Sequence, residues 1–300
     1  CCPLARRFLA LAQHDPTAPA ILLPEAAGVS RQQLARAAAS FAEAARPFVD
    51  PGRPVALSLP NSAALLTAFV GLRSLGATLA LVDAAAPPDE LRRCAAAVGA
   101  TLVVAPAATA PGRVLATSAG AAIVGCDSEP AGIPAGAAVL KLTSGSTGAP
   151  RAIAVSARQL AADTVQIMRT MDVRADDLTL AAIPLSHSYG IGSCLVPLLL
   201  AGTPLVIPAS PLPAALATAL ADRRVRHFPA VPAMIRAIAG LSDLPRFPAL
   251  RVCLSAGAPL RPADAEAFHA ATGVKVHVFY GSSECGGITY DRGAAPAHAD

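Results

Sequence analysis

The sequence is poor in lysine, in clustered charge and in aromatic side chains. Of its 24 lysine and arginine residues only Lys141 and Lys275 are lysines, and aromatic residues make up 4% of the chain. The net charge of +4 is spread along 300 residues without a basic run. A face that binds nucleic acid needs clustered basic residues, preferably with aromatic rings among them. We therefore expect no nucleic-acid partner.

Paired cysteines and an unbroken apolar span are also missing. The seven cysteines are scattered without a CxxC pair, which argues against a disulfide framework or a zinc site and favours a reducing, cytoplasmic location. The most apolar stretch, residues 191–209, is interrupted by glycines and by Pro197, Pro204 and Pro208, so we expect no membrane span. No secretory signal is visible and the first methionine is Met168, so we expect the native start to be missing.

Hydrophobic residues, by contrast, make up 54% of the chain, enough to fill a sizeable core. From Pro54 onward, short apolar runs alternate with alanine-rich helical segments. The runs predict strands within residues 54–59, 78–82 and 101–105, and the segments between them predict helices within 61–76 and 87–99. Residues 106–136, rich in Ala, Pro and Gly, are expected to form a surface excursion within the sheet.

The same alternation resumes in the second half of the chain. It predicts helices within 156–171 (with Ser156 as N-cap), 190–202 and 262–273, and strands within 178–183, 204–208 and 274–281. Alternating strands and helices favour parallel sheets covered by helices. We predict an α/β fold of two stacked lobes with largely parallel sheets flanked by helices, roughly residues 50–170 and 178–290.

Ligands of open α/β sheets lie beyond the strand ends, so the loops there carry the functional information. The first unusual loop is "TSGSTGAPR", residues 143–151. Its hydroxyls, flexible glycines and one cation form an anion cradle suited to nucleotide phosphates: Thr143, Ser144, Gly145, Ser146, Thr147, Gly148 and Arg151. A Walker A loop needs Gly-Lys-Ser/Thr running into a helix, whereas this loop runs into the strand-like "AIAV", which argues against a P-loop hydrolase.

Two further loops carry chemically unusual side chains. "FYGSSECGG", residues 279–287, offers a ring, hydroxyls and a carboxylate that suit stacking on a base, binding a phosphate and holding magnesium. A hairpin turn with an exposed Glu284 is the alternative interpretation. "PLSHSYGIG", residues 184–192, places His187 and Tyr189 before a helix, although a lone histidine is more often structural than catalytic.

Together with "SAGAPL", residues 255–260, these loops resemble four motifs of the adenylate-forming enzymes, which include acyl- and aryl-CoA synthetases and adenylation domains of peptide synthetases. The motifs follow the family's order between residues 143 and 284, and the opening segment is also similar to the family's start. The resemblance implies the N-terminal domain of such an enzyme. It also implies that ATP, with Mg²⁺, activates a carboxylic acid to an acyl-adenylate. A thiol of coenzyme A or of a phosphopantetheine arm on a carrier protein would then accept the acyl group.

The resemblance also implies a role for each matching residue. It assigns the loop from Thr143 to Arg151 to the pyrophosphate end of ATP, the turn of Ala256, Gly257 and Ala258 with Tyr280 and Gly281 to the adenine side, Ser283 to the α-phosphate and Glu284 to Mg²⁺. His187 and Phe228 would line the acyl pocket. His187, Arg151 and Glu284 are the predicted catalytic set. No protein nucleophile is needed, because the substrate carboxylate attacks, so catalysis would depend on alignment and charge neutralisation.

The sequence departs from the family pattern in two places. Arg151 and Ala152 replace the usual lysine and glycine of the phosphate loop. The family's Gly-Asp segment, hinge arginine and small C-terminal domain with its lysine are not found in the 300 residues. We expect this chain alone to bind Mg·ATP weakly, to adenylate poorly and to make no thioester, since losing one preorganised donor costs about 10²–10³ in rate. The alternative is a truncated, non-catalytic nucleotide- or acyl-binding module.

Overall fold

The structure is a computed structural model that describes residues 2–23, 27–51, 53–110, 112–143, 150–222 and 224–293. The chain folds into two compact units. The first comprises Cys1–Ala18 and Val29–Ala162, and the second comprises Pro19–Gly28 and Asp163–Asp300. Each unit is built from a sheet and helices, which confirms the predicted α/β class.

The described helices are α1 Pro3–His14, α2 Arg31–Ala45, α3 Ala63–Ser74, α4 Pro88–Ala97, α5 Ala157–Thr170, α6 Ser188–Gly190, α7 Val196–Ala201, α8 Pro213–Asp222, α9 Pro232–Ala239 and α10 Pro262–Thr272. The five predicted helical segments are found to within about two residues, whereas α1, α2, α8 and α9 were not predicted. A 3₁₀ turn covers Ala107–Thr109, and a π-helical segment, Ile191–Leu195, joins α6 to α7.

The described strands are short and mostly buried. They are β1 Pro19–Leu22, β2 Val29–Ser30, β3 Val55–Leu57, β4 Leu79–Leu81, β5 Leu102–Pro106, β6 Val114–Ser118, β7 Ala121–Gly125, β8 Ala137–Thr143, β9 Arg151–Ser156, β10 Thr179–Leu180, β11 Leu205–Val206, β12 His227–Ala230, β13 Val252–Ser255, β14 Val276–Ser282 and β15 Gly286–Tyr290.

The sheet of the first unit has the strand order β6-β7-β5-β3-β4-β8-β9. Its centre is parallel, as predicted, and both margins are antiparallel. The predicted surface excursion, residues 106–136, instead contains strands β6 and β7, and β7 is buried and pairs with β5. The prediction missed β7 because "AAIVG" is short and alanine-rich, so it shows no alternating pattern.

The sheet of the second unit runs β15-β14-β13-β12-β10-β11-β1. Its pairs are parallel from β1 to β14, and only β15 is antiparallel, as the second arm of a hairpin with β14. Parallel strands are buried on both faces, so their sequences are mostly apolar. The core beneath this sheet includes Leu180, Val206, Phe228, Cys253 and Phe268, each less than 1% exposed. The carboxyl ends of β13 and β14 are therefore held by a closely packed core.

Local sequence signals explain how the helices that matter for the site begin and bend. At α5 the Ser156 Oγ accepts the Gln159 N–H at 3.2 Å, and the Gln159 Oε1 accepts the Ser156 N–H at 2.8 Å, which is a capping box. Between α6 and α7 the Val196 N–H reaches back to the Ile191 carbonyl. Pro197 has no N–H to donate at the next position, so the π-helical turn falls where a regular α-helical ladder would be interrupted.

No described helix is long and apolar enough to cross a membrane.

The described cysteines are all free thiols, namely Cys2, Cys94, Cys126, Cys194, Cys253 and Cys285. Burial raises the pKa values of Cys194 and Cys253, so these two thiols are held protonated in the core.

His227 on β12 gives the second unit a pH dependence. Its ring is 1% exposed and its Nδ1 lies 3.1 Å from the Thr179 Oγ1. Burial, together with the positive charge of Arg251, lowers the pKa of His227 to about 3. Between about pH 6.5 and pH 3 the unfolded chain therefore binds a proton that the folded chain does not.

We expect His227 to reduce the free energy of unfolding by up to about 1.4 kcal/mol for each unit that the pH falls below 6.5. Urea unfolding from pH 7 to pH 4.5 measures this slope. The His227→Gln variant removes the titrating ring and should flatten the profile over that interval. Equal slopes for the two proteins would show that His227 is not buried in its neutral form.

Candidate active site

The two ends of the predicted phosphate loop lie opposite each other in the first unit. Thr143 ends β8, Arg151 begins β9, and the two residues are partners in the antiparallel pair. Arg151 is exposed and Thr143 is half-buried. Ser144, Gly145, Ser146, Thr147 and Gly148 lie outside the described residues. The pairing of β8 with β9 thus fixes the distance between the two ends of the loop. Arg151, the positively charged residue of the motif, lies at the second end.

A cavity of about 230 Å³ lies within the second unit. Its lining comes from all three predicted segments of this unit and from α5: Asp163, Ile167, His187, Ser188, Tyr189, Gly192, Ser193, Ala256, Gly257, Phe279, Gly281, Ser282, Ser283, Gly286 and Gly287. In the sequence these segments are separated by up to about 100 residues, and the parallel order of the strands brings their ends together.

The predicted adenine turn follows β13 directly. Ala256 is buried and Gly257 adopts φ +86°, a left-handed conformation that favours glycine over any residue with a Cβ. Both line the cavity, and Ala258 next to them is exposed. The backbone therefore turns sharply at the strand end and leaves a face without side chains.

The second loop is a hairpin turn between β14 and β15, and it carries the predicted functional residues. Ser283 and Gly281 line the cavity, whereas Glu284 at the turn is exposed. The Ser188 hydroxyl donates to the Ser283 Oγ at 3.0 Å, which ties the start of α6 to the hairpin. The segment is thus a hairpin turn, as in the alternative interpretation. A hairpin turn does not exclude the proposed binding role, because the turn itself presents the Ser283 hydroxyl and the Glu284 carboxylate.

The third segment forms one wall of the cavity. His187 is exposed, precedes α6 and lines the cavity. The Tyr189 ring lies 6.0 Å from the Phe279 ring, centroid to centroid. Burial raises the pKa of Tyr189 well above its usual value, so its phenol stays neutral. This wall combines the Tyr189 ring with the His187 imidazole and the hydroxyls of Ser188 and Ser193.

The structure places two predicted site residues away from the cavity lining. Phe228 is fully buried in the core of the second unit and is not among the cavity residues. Tyr280 is 60% exposed and does not line the cavity either, because it alternates on β14 with Phe279, which does. An exposed ring can still stack on a base.

Sequence reasoning missed α5 as part of the site. Asp163 and Ile167 on this helix line the cavity, and the Asp163 Oδ1 accepts the Gly287 N–H at 2.9 Å. A signal was present in the sequence. Asp163 lies three residues after the buried Leu160 and four before the buried Ile167, so it is a charged residue on the buried face of an amphipathic helix.

Within the described residues, no group of three or more His, Cys, Asp and Glu side chains is arranged to hold a metal ion. Magnesium in nucleotide sites commonly takes one or two carboxylates and receives its other ligands from phosphates and water. Glu284 is exposed at the hairpin turn and could supply such a single carboxylate. Its role as a magnesium ligand stays a prediction.

Comparison with known proteins identifies the family. The family profile described as AMP-binding enzyme matches residues 8–299. The chain belongs to the AMP-binding enzymes. This result confirms the predicted resemblance over nearly the whole chain.

Several relatives of this AMP-binding chain are CoA ligases by name. It is 31% identical to the feruloyl-CoA synthase of Amycolatopsis sp over 278 residues, which cover 87% of this chain and 56% of that protein. It is 30% identical to the 4-coumarate–CoA ligase-like 9 of Oryza sativa subsp. japonica, with coverages of 93% and 56%. The pyochelin synthetase PchE of Pseudomonas aeruginosa is 30% identical over 94% of this chain and 20% of that protein. The chain thus spans about half the length of these ligases.

Solved structures confirm the fold. The N-terminal domain of FACL13 from Mycobacterium tuberculosis superposes with a TM-score of 0.80 at 22% identity, covering 96% of this chain and 78% of that one. A benzoate CoA ligase from Burkholderia xenovorans LB400 gives 0.79 at 21% identity, with coverages of 94% and 61%. The AMP-binding chain therefore has the fold of the FACL13 N-terminal domain, and it shares this fold with the aligned part of the benzoate CoA ligase.

Proposed function

We propose that the chain is the nucleotide- and acid-binding part of an acid–thiol ligase. The whole enzyme would use ATP to convert a carboxylic acid to an acyl-adenylate, and it would pass the acyl group to coenzyme A or to a phosphopantetheine arm. The observation that carries this proposal is the cavity of the second unit, where three motif segments meet. Family membership and the CoA-ligase relatives support it.

The chemistry needs no nucleophile from this chain. An oxygen of the substrate carboxylate forms a bond to the α-phosphorus of ATP, the bond from that phosphorus to the bridging oxygen breaks, and pyrophosphate leaves. The Ser283 hydroxyl, which accepts a hydrogen bond from the Ser188 hydroxyl at 3.0 Å, would donate to the α-phosphate. The loop from Thr143 to Arg151 would hold the departing pyrophosphate, and Arg151 would neutralise part of its charge.

Two further groups would act beside the reacting atoms. His187, an exposed residue of the cavity lining, would lie next to the substrate carboxylate and keep it apart from water. Glu284 would hold Mg²⁺, which supplies charge neutralisation on the phosphates when it is bound. Tyr280 and the turn at Ala256 and Gly257 would enclose the adenine between an exposed ring and bare backbone.

The cavity favours a small acid. Its volume is about 230 Å³, and a cavity of about 150 Å³ is known to hold a benzene ring. The wall contributed by Ile167, Tyr189 and Phe279 is apolar and partly aromatic. An acid of about single-ring size would fill this space, and the names of the feruloyl- and coumarate-ligase relatives agree with a ring-bearing acid.

ATP–pyrophosphate exchange tests the proposal. The assay would be run with benzoic, phenylpropenoic and medium-chain aliphatic acids, on the 300-residue chain and on the longest open reading frame that contains it. We expect exchange that depends on Mg²⁺ and on a ring-bearing acid in the longer protein, and much weaker exchange in the 300-residue chain. If the longer protein binds ATP but exchanges pyrophosphate with none of the acids, the proposed ligase function is wrong and the binding-module alternative replaces it.

A further inference from the structure

Asp163 carries the one carboxylate in the described lining of the first cavity. It lies in α5, outside the motif segments, and it lines the cavity together with Ile167 one helical turn later. Its Oδ1 accepts the Gly287 N–H at 2.9 Å. Within the described part of the chain, its Oδ2 has no hydrogen-bond partner.

Glycines surround this carboxylate and leave it uncovered. A methyl group added at Gly192 would lie 3.7 Å from the Oδ2, and one added at Gly287 would lie 3.5 Å from the Oδ1. At Gly286, where φ is +77°, an added methyl group would overlap the carboxylate. No side chain at these three positions stands between Asp163 and the cavity, so a molecule in the cavity can reach the carboxylate directly.

A second polar atom in the cavity lining, like the Asp163 Oδ2, has no hydrogen-bond partner among the described residues. Ser193, 1% exposed, lines the cavity, and its Oγ makes no hydrogen bond among the described residues. A buried polar atom without a partner costs about 1–3 kcal/mol, so such atoms are normally satisfied by protein, water or ligand. Asp163 and Ser193 therefore offer acceptors in the lining of the same cavity as the Tyr189 and Phe279 rings.

We infer that Asp163 is a specificity-determining residue that selects acids carrying a hydrogen-bond donor, a hydroxyl or an amino group, at the end remote from the reacting carboxylate. The inference rests on the proposed function, because it assigns the remote end of the substrate to this wall. A carboxylate accepts such a donor in a charge-assisted bond, which is about twice as strong as a neutral one. An acid without the donor would leave the Asp163 carboxylate desolvated and unpaired. The site would therefore both attract acids that carry the donor and disfavour acids that lack it.

Asp163 lies between the first cavity and a second, neighbouring cavity. A second cavity of about 190 Å³ shares Asp163, Ile167, Phe279 and Gly287 with the first and continues along α5 and β15. The hydrogen bond between Asp163 and Gly287 thus lies in the partition between the two cavities. Asp163 therefore borders the second cavity, and the remote end of a small acid is assigned to this side of the first cavity.

Binding of non-reactive acyl-sulfamoyl adenosines tests the inference, because the adenosine part is constant and catalysis is not needed. The acyl groups are benzoyl, its 3- and 4-hydroxy and 3- and 4-amino derivatives, and the matching methoxy compounds, which keep the size but lose the donor. Calorimetry would give the dissociation constants for the full protein. We expect one hydroxy or amino compound to bind about tenfold or more tightly than the benzoyl compound and than its methoxy counterpart. Comparison of the hydroxy with the amino compounds shows which donor is preferred.

The Asp163→Asn variant keeps an oxygen for the Gly287 N–H but removes the charge. We expect the advantage of the donor-bearing compound to fall to less than about threefold. Gln166→Ala is the matched control, since Gln166 lies on the same helix but lines only the second cavity, and it should keep the advantage.

The outcomes separate the two claims. If the compounds bind tightly but with equal affinity in the unaltered protein, or if Asp163→Asn weakens all of them by the same factor, Asp163 is only a structural acceptor for the hairpin and the inference is wrong. If no compound binds, the proposed function is wrong and the inference fails with it.

Discussion

Replacing Gly190 with alanine is expected to lower the free energy of unfolding by about 1–3 kcal/mol. Gly190 is buried at the end of α6 with ordinary helical φ and ψ, so helix propensity alone would favour alanine by about 1 kcal/mol. The packing opposes this. The new methyl group would collide with the Pro184 carbonyl oxygen and lie 2.8 Å from the Pro184 carbonyl carbon. Because both are backbone atoms, the segment that carries His187 must move.

Urea unfolding measures the effect. Gly240→Ala is the control, since Gly240 also has a negative φ and its added methyl group would lie no closer than 3.6 Å to its neighbours. We expect the midpoint of unfolding to fall for Gly190→Ala and to change little for Gly240→Ala. Equal midpoints for the two variants would mean that the turn before α6 can relax without loss, and that the approach of Pro184 to Gly190 is not needed to hold His187.

Replacing Glu284 with glutamine is expected to reduce ATP–pyrophosphate exchange by about 10²-fold or more, if the proposed function is correct. The substitution keeps the size of the side chain and removes the charge that would hold Mg²⁺ at the phosphates. Glu284 is exposed at the hairpin turn, so the free energy of unfolding should change by less than about 0.5 kcal/mol. A loss of exchange without a loss of stability identifies a functional carboxylate.

Glu266→Gln provides the comparison, because Glu266 is an exposed glutamate on α10 that does not line the cavity. Exchange measured against Mg²⁺ concentration should show that Glu284→Gln requires more Mg²⁺ for half-maximal rate, while Glu266→Gln resembles the unaltered protein. An unchanged Mg²⁺ requirement for both variants would assign the metal to other ligands.

Much of the fold was predictable because buried parallel strands have a distinct sequence pattern. Runs such as "PVALSL" and "TLVVA" are continuously apolar and are bounded by turn residues, so their positions were predicted to within about two residues. The hairpin of β6 and β7 was not predicted because β7, Ala121–Gly125, is short and alanine-rich and shows no alternating pattern. The order of strands within each sheet also depends on long-range packing, which no local pattern encodes.

The site was predictable where it consists of backbone turns and loop side chains. Gly257 has a left-handed φ, and Ser283 lies at a hairpin turn; both follow strands that the sequence marks clearly. Phe228 was placed in the acyl pocket by family resemblance, but an apolar residue on a two-sided buried strand gives no sign of which face it occupies. Asp163 was missed because it belongs to no motif.

The π-helical segment Ile191–Leu195 has a consequence for how relatives are aligned. It behaves as one residue inserted into an otherwise continuous helix, and one residue turns an α-helix by about 100°. The cavity residues Ser188 and Gly192 therefore do not share a helical phase with the core residues of α7. A helical wheel that is drawn with the phase of α6 therefore assigns the residues of α7 to the wrong face, and the reverse is also true. A relative that lacks the extra residue would keep its apolar core in α7 and present a different set of side chains to its substrate.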